Sequence, residues 1–380
     1  MTATTFAVEP NPNPNPEAEA DAEKTRAAMR KIYTSLQILL PLAMEPERFG
    51  APENAAAVRS ALDLLATEAS LLDLHAQQLD PGAFYIGREL ERDSLAAKRA
   101  YAEGDPYSAA YSVHRTTDAC LACHSRWESG RDAVITNGFL DQSVFQALDP
   151  VDRARLLFAT RQFSKARELY EQQLRSNRIP PPDRSEVLLD YLILVVRVER
   201  TPERAIPVVR QVAQRDDLWM RLREDLLFWA DKLEEQTRSK PRFFGGSPVS
   251  EARRLVEQAS REVVLPSDRR ALIHYVIASR LLNDYVRSDP ASPELASEAY
   301  YLLGHVESRL GNALWFSPSE YYLELAIRLA PETEAAHKAY ALLEEELLIS
   351  YSMGGVPEDM GTRLSELKEL VLRAQPDLKH

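Results

Sequence analysis

Apolar side chains recur every three or four residues through four successive stretches in the first third of the chain, and this spacing places them on one face of an α-helix. In residues 23–43 that face consists of Met29, Ile32, Leu36, Leu39 and Leu40. The other three predicted helices cover about 53–79, 83–102 and 106–128. Because helices of this length with short connections pack against one another, the pattern predicts an up-and-down four-helix bundle.

Helix-ending signals separate these stretches. The segment MEPERFGAPEN follows the first helix, LDPG follows the second, and Gly104-Asp105-Pro106 separates the third from the fourth. In the last of these, glycine suits the left-handed end of a helix and proline suits the first position of the next. Glycine is otherwise scarce, with 13 in 380 residues, whereas the helix-favouring Ala, Leu, Glu and Arg are abundant. The sequence therefore predicts an all-α chain.

Paired helices are predicted from about residue 149 onward. The stretch LFATRQFSKARELYEQQL has an aromatic, a small and two apolar residues at the spacing of a helical repeat, namely Phe163, Ala166, Tyr170 and Leu174. Further on, Leu303-Gly304 lies in one helix, and EYYLELAIRLAP forms a second that ends at Pro331. Both stretches resemble tetratricopeptide repeats, in which small residues let stacked helix pairs approach closely. The resemblance implies an α-solenoid.

These patterns divide the chain into four parts. Residues 1–22 are rich in Pro and Asn and predict a flexible linker. Residues 23–130 are the predicted bundle, 131–148 a polar linker, and 149–380 the predicted solenoid. No run of about eighteen apolar residues predicts a membrane span. The N-terminus also lacks the basic start and apolar run of a signal peptide.

The only two cysteines, Cys120 and Cys123, lie in the fourth predicted helix and are followed at once by His124. On a helix the thiols are one turn apart, and the imidazole shares their face one turn beyond Cys120. Both thiols can then form thioethers with the vinyl groups of one haem while the imidazole binds the iron. Cys-x-x-Cys-His is the attachment signature of haem c. We therefore predict one covalent haem, with His124 as an axial iron ligand.

Three other interpretations of the motif stay open. A zinc site would have to recruit two distant ligands, since the chain has no third cysteine. A thioredoxin-like redox pair is expected in a βαβ context, which the helical pattern does not supply. Two buried cysteines without a function would leave the spacing and His124 unexplained. Covalent haem is the favoured interpretation.

Residues 23–130 resemble the class II cytochrome c family, the cytochrome c-prime and cytochrome c556 group. The likeness rests on Leu65-Ala66-Thr67, Gly104-Asp105, the spacing from Gly104 to Cys120, the haem motif itself, and Trp127 three residues after His124. The resemblance implies a bundle in which haem is bound to Cys120 and Cys123. It also implies that Trp127 packs against the haem. The chain departs from the family at Glu128, where a basic residue is usual, and in its long downstream part.

The resemblance also implies where a sixth iron ligand would come from. In the family, the residue on the other side of the haem lies early in the first helix, and it is methionine in the six-coordinate members. Met29-Arg30-Lys31-Ile32 resembles that run, so Met29 is the candidate sixth ligand. The family has an arginine four residues before this methionine, whereas Arg26 stands three residues before Met29. A shift of the helix register by one residue would bring Ile32 or Tyr33 over the iron in place of Met29. Weaker candidates are Met44, His75 and His114.

Charge limits the class of partner. The formal net charge is −12, and residues 1–150 hold 22 Asp and Glu against 13 Lys and Arg, whereas residues 151–380 hold 36 against 33. Neither part offers the basic surface that nucleic acid requires. The acidic first part favours a redox partner with a basic surface, and a solenoid would add a surface for a protein or peptide ligand.

The favoured function is electron transfer by a mono-haem c-type cytochrome that its solenoid docks onto a partner or assembly. Bacterial thioether formation takes place outside the cytoplasmic membrane, so the protein is expected in the periplasm, with a signal or membrane tether upstream of this sequence. Two alternatives stay open: a five-coordinate haem that senses or carries NO or CO, and a scaffold stabilised by haem. An enzyme is not expected, because no distal histidine is placed for acid-base catalysis.

Overall fold

The computed structural model describes residues 16–76, 81–125, 143–146, 148–176, 179, 184–238, 247–262, 269–288, 292–310, 319–350 and 358–374. Within these ranges every regular element is helical and no strand is present. The all-α prediction is confirmed. None of the helices in these ranges combines the length and the apolarity that a membrane span requires.

Five helices form the first unit, which we call the bundle unit (16–125). They are α1 (Pro16–Ala43), α2 (Pro46–Phe49), α3 (Ala55–Ala76), α4 (Pro81–Ala102) and α5 (Pro106–His124). The four long helices match the four predicted ones in order and position. Helix α1 begins before the predicted start at residue 23, because the residues between are mostly Ala and Glu, which are strong helix formers.

The four long helices of the bundle unit pack in a ring. Helix α1 contacts α3, α3 contacts α4, α4 contacts α5, and α5 returns to α1. Fully buried apolar side chains face the interior from each helix, among them Leu39, Leu65, Ala97 and Val113. Burying an aliphatic side chain of the size of leucine or valine contributes about 1.5–3 kcal/mol. Apolar packing of the predicted stripes therefore holds the ring together.

The segment MEPERFGAPEN, predicted as a loop, contains the one-turn helix α2. Pro46 opens this helix, and Phe49 at its end is fully buried. The ring of Phe49 lies edge-on to Tyr101 of α4, with 5.4 Å between the ring centroids. Helix α2 also contacts α1 and α5. The prediction missed it because a single turn is too short to show an apolar period.

Helix α5, which carries the haem motif, begins where the sequence predicts. Gly104 has a positive φ of 83°, the left-handed conformation that glycine adopts without steric cost. The Asp105 side chain accepts a hydrogen bond from the backbone N–H of Ser108, and Pro106 occupies the first turn. These capping interactions fix the first turn of α5, the helix that carries the motif.

The second unit, which we call the downstream unit (143–374), is a succession of helices. They are α6 (Ser143–Gln146), α7 (Pro150–Ala159), α8 (Phe163–Arg175), α9 (Arg184–Leu192, continued by π-helix at Ile193–Val198), α10 (Pro202–Ala213), α11 (Met220–Arg238), α12 (Pro248–Glu262), α13 (Leu272–Val286), α14 (Pro293–Leu310), α15 (Ser319–Leu329), α16 (Glu334–Ser350) and α17 (Glu358–Ala374). Helices α7 and α8, α10 and α11, α12 and α13, and α14 and α15 pack as pairs. The paired helices agree with the predicted pattern, whereas their assignment to the tetratricopeptide class stays a prediction.

Gly304 lets α14 and α15 approach closely. A Cβ atom at this position would lie 2.6 Å from Cγ and Cδ2 of the fully buried Leu323 and 3.2 Å from the carbonyl oxygen of Ser319. We expect Gly304→Ala to destabilise the protein by about 1–3 kcal/mol, because it overfills the contact. Urea unfolding of the full chain measures the change.

Gly361 of α17 is the matched control for this prediction. A Cβ atom there would have no atom within 4 Å. Gly361→Ala is therefore expected to stabilise the protein slightly, by up to about 1 kcal/mol, since alanine is the better helix former. Equal effects of the two substitutions would contradict the close approach at Gly304.

Among the described helices, two pairs bring the bundle unit and the downstream unit into contact. Helix α5 packs on α7, and α4 packs on α15. At the second contact, burial raises the pKa of Glu320, and the positive charges of Arg363 and, across the contact, Arg92 oppose that rise. The C-terminal end of α5, with the haem motif, therefore lies against the downstream unit.

Candidate haem-attachment site

Cys120 and Cys123 lie one turn apart in the last two turns of α5. Both side chains are half-buried and pack against the apolar core, and neither cysteine is in a disulfide. Ala119 and Ala122, beside them in the chain, are buried. The structure thus places the two thiols on the helix and at the spacing from which both can reach one flat macrocycle.

Burial raises the pKa of the Cys120 thiol to about 12, and the negative charge of Asp118 adds to the effect. The group is therefore a thiol and not a thiolate at neutral pH. Redox-active cysteine pairs have a lowered pKa, which is set by nearby positive charge or a helix N-terminus. Cys120 has the opposite environment, near the C-terminal end of α5, and this speaks against the thioredoxin-like interpretation.

His124, the last residue of α5, donates a hydrogen bond to the other unit. Its Nδ1 atom lies 2.6 Å from the carbonyl oxygen of Ala159, at the end of α7. A carbonyl can only accept, so Nδ1 carries the proton and donates. Burial and, to a smaller extent, the positive charge of Arg161 lower the pKa of His124 to about 4. The imidazole is neutral at pH 7, and its Nε2 lone pair is left for a metal ion.

Charged side chains surround the base of the motif. Asp118, one half-turn before Cys120, has its pKa raised to about 6 by burial, which Arg115 and Arg155 oppose. Arg115 donates to Asp93 of α4 at 3.0 Å. Arg155 of α7 donates to the fully buried Asp190 of α9 at 2.8 Å. These charges join α4, α5, α7 and α9 next to the motif.

The donor set fits a covalently bound haem. Two thiols and a neutral imidazole with a free Nε2 atom are the three groups that a haem c needs from one chain segment. Among the described residues, no three His, Cys, Asp or Glu side chains form a group that could hold a metal ion. A zinc site that used the two cysteines would have to complete its set of four ligands from the rest of the chain.

The other predicted site residues have differing outcomes. Met29 is half-buried and packs against the core, on the helix that closes the ring with α5. His114 is hydrogen-bonded to the carbonyl of Ala43 at 3.3 Å, and this contact ties α5 to the end of α1. Trp127 and the side chain of His75 lie outside the described residues. Iron ligation by His114 or by Met29 is not tested by these contacts and stays a prediction.

We expect Met29→Ala in the haem-loaded protein to remove a low-spin, methionine-type absorption signal and to lower the midpoint potential. A thioether ligand favours ferrous iron over ferric iron, so its loss favours the ferric state. Absorption spectra of the ferric and ferrous protein measure the change. Met44→Ala is the control, since Met44 follows the end of α1 and is the poorer candidate. A wild-type ferric spectrum that is already high-spin and unchanged by Met29→Ala would contradict ligation.

Sequence reasoning missed Ala159 and Arg161. Both lie in the tetratricopeptide-like stretch of the other unit, 35 residues or more beyond His124, but neither is one of the positions that define the repeat pattern. A backbone carbonyl leaves no signal in a sequence, because any residue supplies one. The contact depends on the packing of α5 on α7, which a single sequence does not predict.

Comparisons with protein-family models, with curated proteins and with solved structures found no match to this chain. The resemblance to class II cytochromes c therefore rests on the residues of the motif and of the bundle.

Proposed function

We propose that this protein is a mono-haem c-type cytochrome that transfers electrons and that its downstream unit docks it onto a protein partner or assembly. The observation that carries the proposal is the arrangement of Cys120, Cys123 and His124 at the end of α5. The two thiols share a helical face, and His124 donates from Nδ1 to Ala159, which leaves Nε2 for iron. Neutral imidazole with an oriented ring is the form that binds a metal ion.

Each residue has a separate task in this proposal. The haem supplies an iron that exchanges one electron between its ferric and ferrous states. Cys120 and Cys123 hold the group covalently, and His124 binds the iron. The apolar side chains of the bundle exclude water, and burial of this kind is one of the factors that set a haem's potential. Met29 is proposed as the ligand on the opposite side.

The docking role is supported by exposed apolar side chains on the downstream unit. Trp219 and Met220, at the turn between α10 and α11, are 65% and 77% exposed. Aromatic residues and methionine are enriched at protein interfaces. The partner we propose is a protein, and a basic surface on the redox partner would complement the acidic first part of the chain.

The location of the protein follows from the haem. Thioether formation in bacteria takes place on the outer side of the cytoplasmic membrane, so we propose that the native protein works in the periplasm or is tethered there. A cytosolic location of the haem-loaded native protein would contradict this part of the proposal.

Spectra of the protein produced together with a haem-attachment machinery test the function. We expect c-type absorption bands, reversible reduction, and no change on addition of CO, since a six-coordinate iron has no open position. A ferrous protein that binds CO readily would instead favour the sensor or carrier. A haem that cannot be reduced reversibly by a biological electron donor would favour a scaffold.

A further inference from the structure

The end of α7, where the chain turns toward α8, contacts the His124 ring through the carbonyl of Ala159. Within this turn the backbone N–H groups of Thr160, Arg161 and Gln162 donate to the carbonyls of Leu156, Phe158 and Leu157 respectively. The carbonyl of Ala159, in the last turn of α7, receives the His124 ring instead. A helix leaves its last carbonyls without partners inside the helix. The imidazole and the end of α7 thus satisfy each other's hydrogen-bonding groups.

Arg161, in the same turn, is distinguished by its side chain and not by its backbone. Its φ of 57° is left-handed, but Arg200 has a φ of 59° at the turn between α9 and α10. The left-handed backbone of Arg161 is therefore shared by a second helix end in this unit. The guanidinium of Arg200 pairs with Asp284 at 2.6 Å. The Nε atom of Arg161 is buried and has no hydrogen-bond partner among the described residues. Arg161 follows two residues after Ala159, whose carbonyl accepts from the His124 ring, so its positive charge lies in the turn that meets His124.

We propose that the α7–α8 turn is part of the haem site, in which Ala159 fixes the orientation of His124 and Arg161 places a positive charge beside it, so that the downstream unit sets the midpoint potential. This inference rests on the proposed function for its haem, whereas the contact between Ala159 and His124 does not. Arg161 is a positioning and electrostatic residue, since it reaches the iron only through the field that it creates at His124.

The expected signs follow from electrostatics. A positive charge near the iron disfavours the ferric state, which carries one more positive charge than the ferrous state, and so raises the midpoint potential. A hydrogen bond from Nδ1 makes the imidazole more basic, stabilises the ferric state and lowers the potential. A partner that moves α7 against α5 would change both effects together. The two units would then be coupled through a direct contact with the iron ligand.

The first test reads the His124 ring without haem. In the full chain labelled with ¹⁵N-histidine and produced without haem, we expect His124 to be the neutral Nδ1–H tautomer at pH 7, which free histidine populates less than the Nε2–H form. Assignment uses the peak that His124→Gln removes. An Nε2–H tautomer overturns the contact with Ala159.

The second test reads the charge of Arg161 in the haem-loaded full chain. We expect Arg161→Gly to lower the midpoint potential and Arg161→Lys to retain most of the wild-type value. Glycine adopts a positive φ without cost, so Arg161→Gly removes the guanidinium and keeps the turn. Arg200→Gly makes the same backbone change at the other left-handed turn and should leave the potential unchanged.

The outcomes separate the two proposals. An unchanged potential in Arg161→Gly, or an equal fall in Arg200→Gly, overturns the electrostatic role of Arg161. A wild-type chain that takes up no haem overturns the proposed function and the role of the turn in setting a potential. The tautomer of His124 then still decides whether the downstream unit holds this side chain.

Discussion

The full chain with both Cys120 and Cys123 replaced by serine is expected to lose all covalently attached haem. A serine hydroxyl cannot form the thioether that a thiol forms with a vinyl group, and the chain has no other cysteine to replace the pair. Each single substitution leaves one cysteine that can form a thioether, so the variant should retain a smaller amount of covalently bound haem than the wild type. The mass of the denatured protein and its haem content after acid-acetone extraction measure the loss.

Replacing both cysteines with alanine is the matched control for this experiment. Serine adds a polar group next to a buried core, whereas alanine does not, and the buried Ala119 and Ala122 show that the local helix accommodates alanine. Both double variants should lose the haem equally if the thiols are what holds it. Haem that stays bound through the extraction in either double variant, or a wild-type protein from which the extraction removes it, contradicts covalent attachment.

The bundle could be predicted because its signals are local. The stripe from Ile32 to Leu40 is visible in one segment, and the buried positions on α1 match it. The start of α5 was predicted from Gly104 and Pro106, because a left-handed residue and a helix-opening proline act on their own neighbours. The same local rules place Cys120 and its partners on one face. These parts of the structure need no knowledge of the rest.

The parts that sequence reasoning missed depend on contacts between segments distant in the chain. Phe49 is fully buried because α1, α4 and α5 surround it, although its own segment reads as a loop. Ala159 meets His124 because α7 lies against α5. The arrangement of the downstream unit was also hard to predict from local sequence, since only some of its helices keep a repeat pattern. Tertiary packing determined these features, and local propensity did not.

The buried ion pair between Arg197 and Glu307 gives the second large expected effect. Arg197 lies in the π-helical continuation of α9, and its Nη2 atom is 2.9 Å from Oε1 of Glu307 on α14. The two side chains are 2% and 4% exposed, and every residue of the π-helical segment is buried. The pair thus joins helices that are far apart in the chain within a dry interior.

We expect Glu307→Gln to destabilise the protein by about 3–5 kcal/mol, because it leaves the positive charge of Arg197 buried without a counter-charge. Two further nitrogens of that guanidinium, Nε and Nη1, are already buried without a hydrogen-bond partner among the described residues. Glu307 is therefore the counter-charge on which this arginine depends. Urea unfolding of the full chain, with the same haem content in each variant, measures the loss.

The double variant Arg197→Met with Glu307→Leu tests the cause of that loss. Removing both charges also removes the desolvation cost, so we expect most or all of the stability to return, and apolar replacement of a buried pair can even stabilise by about 1–4 kcal/mol. Arg200→Met is the matched control nearby, because the Arg200–Asp284 pair has side chains 49% and 42% exposed. An exposed pair of this kind contributes at most about 1 kcal/mol. Two outcomes would contradict this account. Glu307→Gln could lose no more stability than the Arg200→Met control, or the double variant could be less stable than Glu307→Gln alone. Either result would show that the interior of the downstream unit does not depend on charge pairing between Arg197 and Glu307.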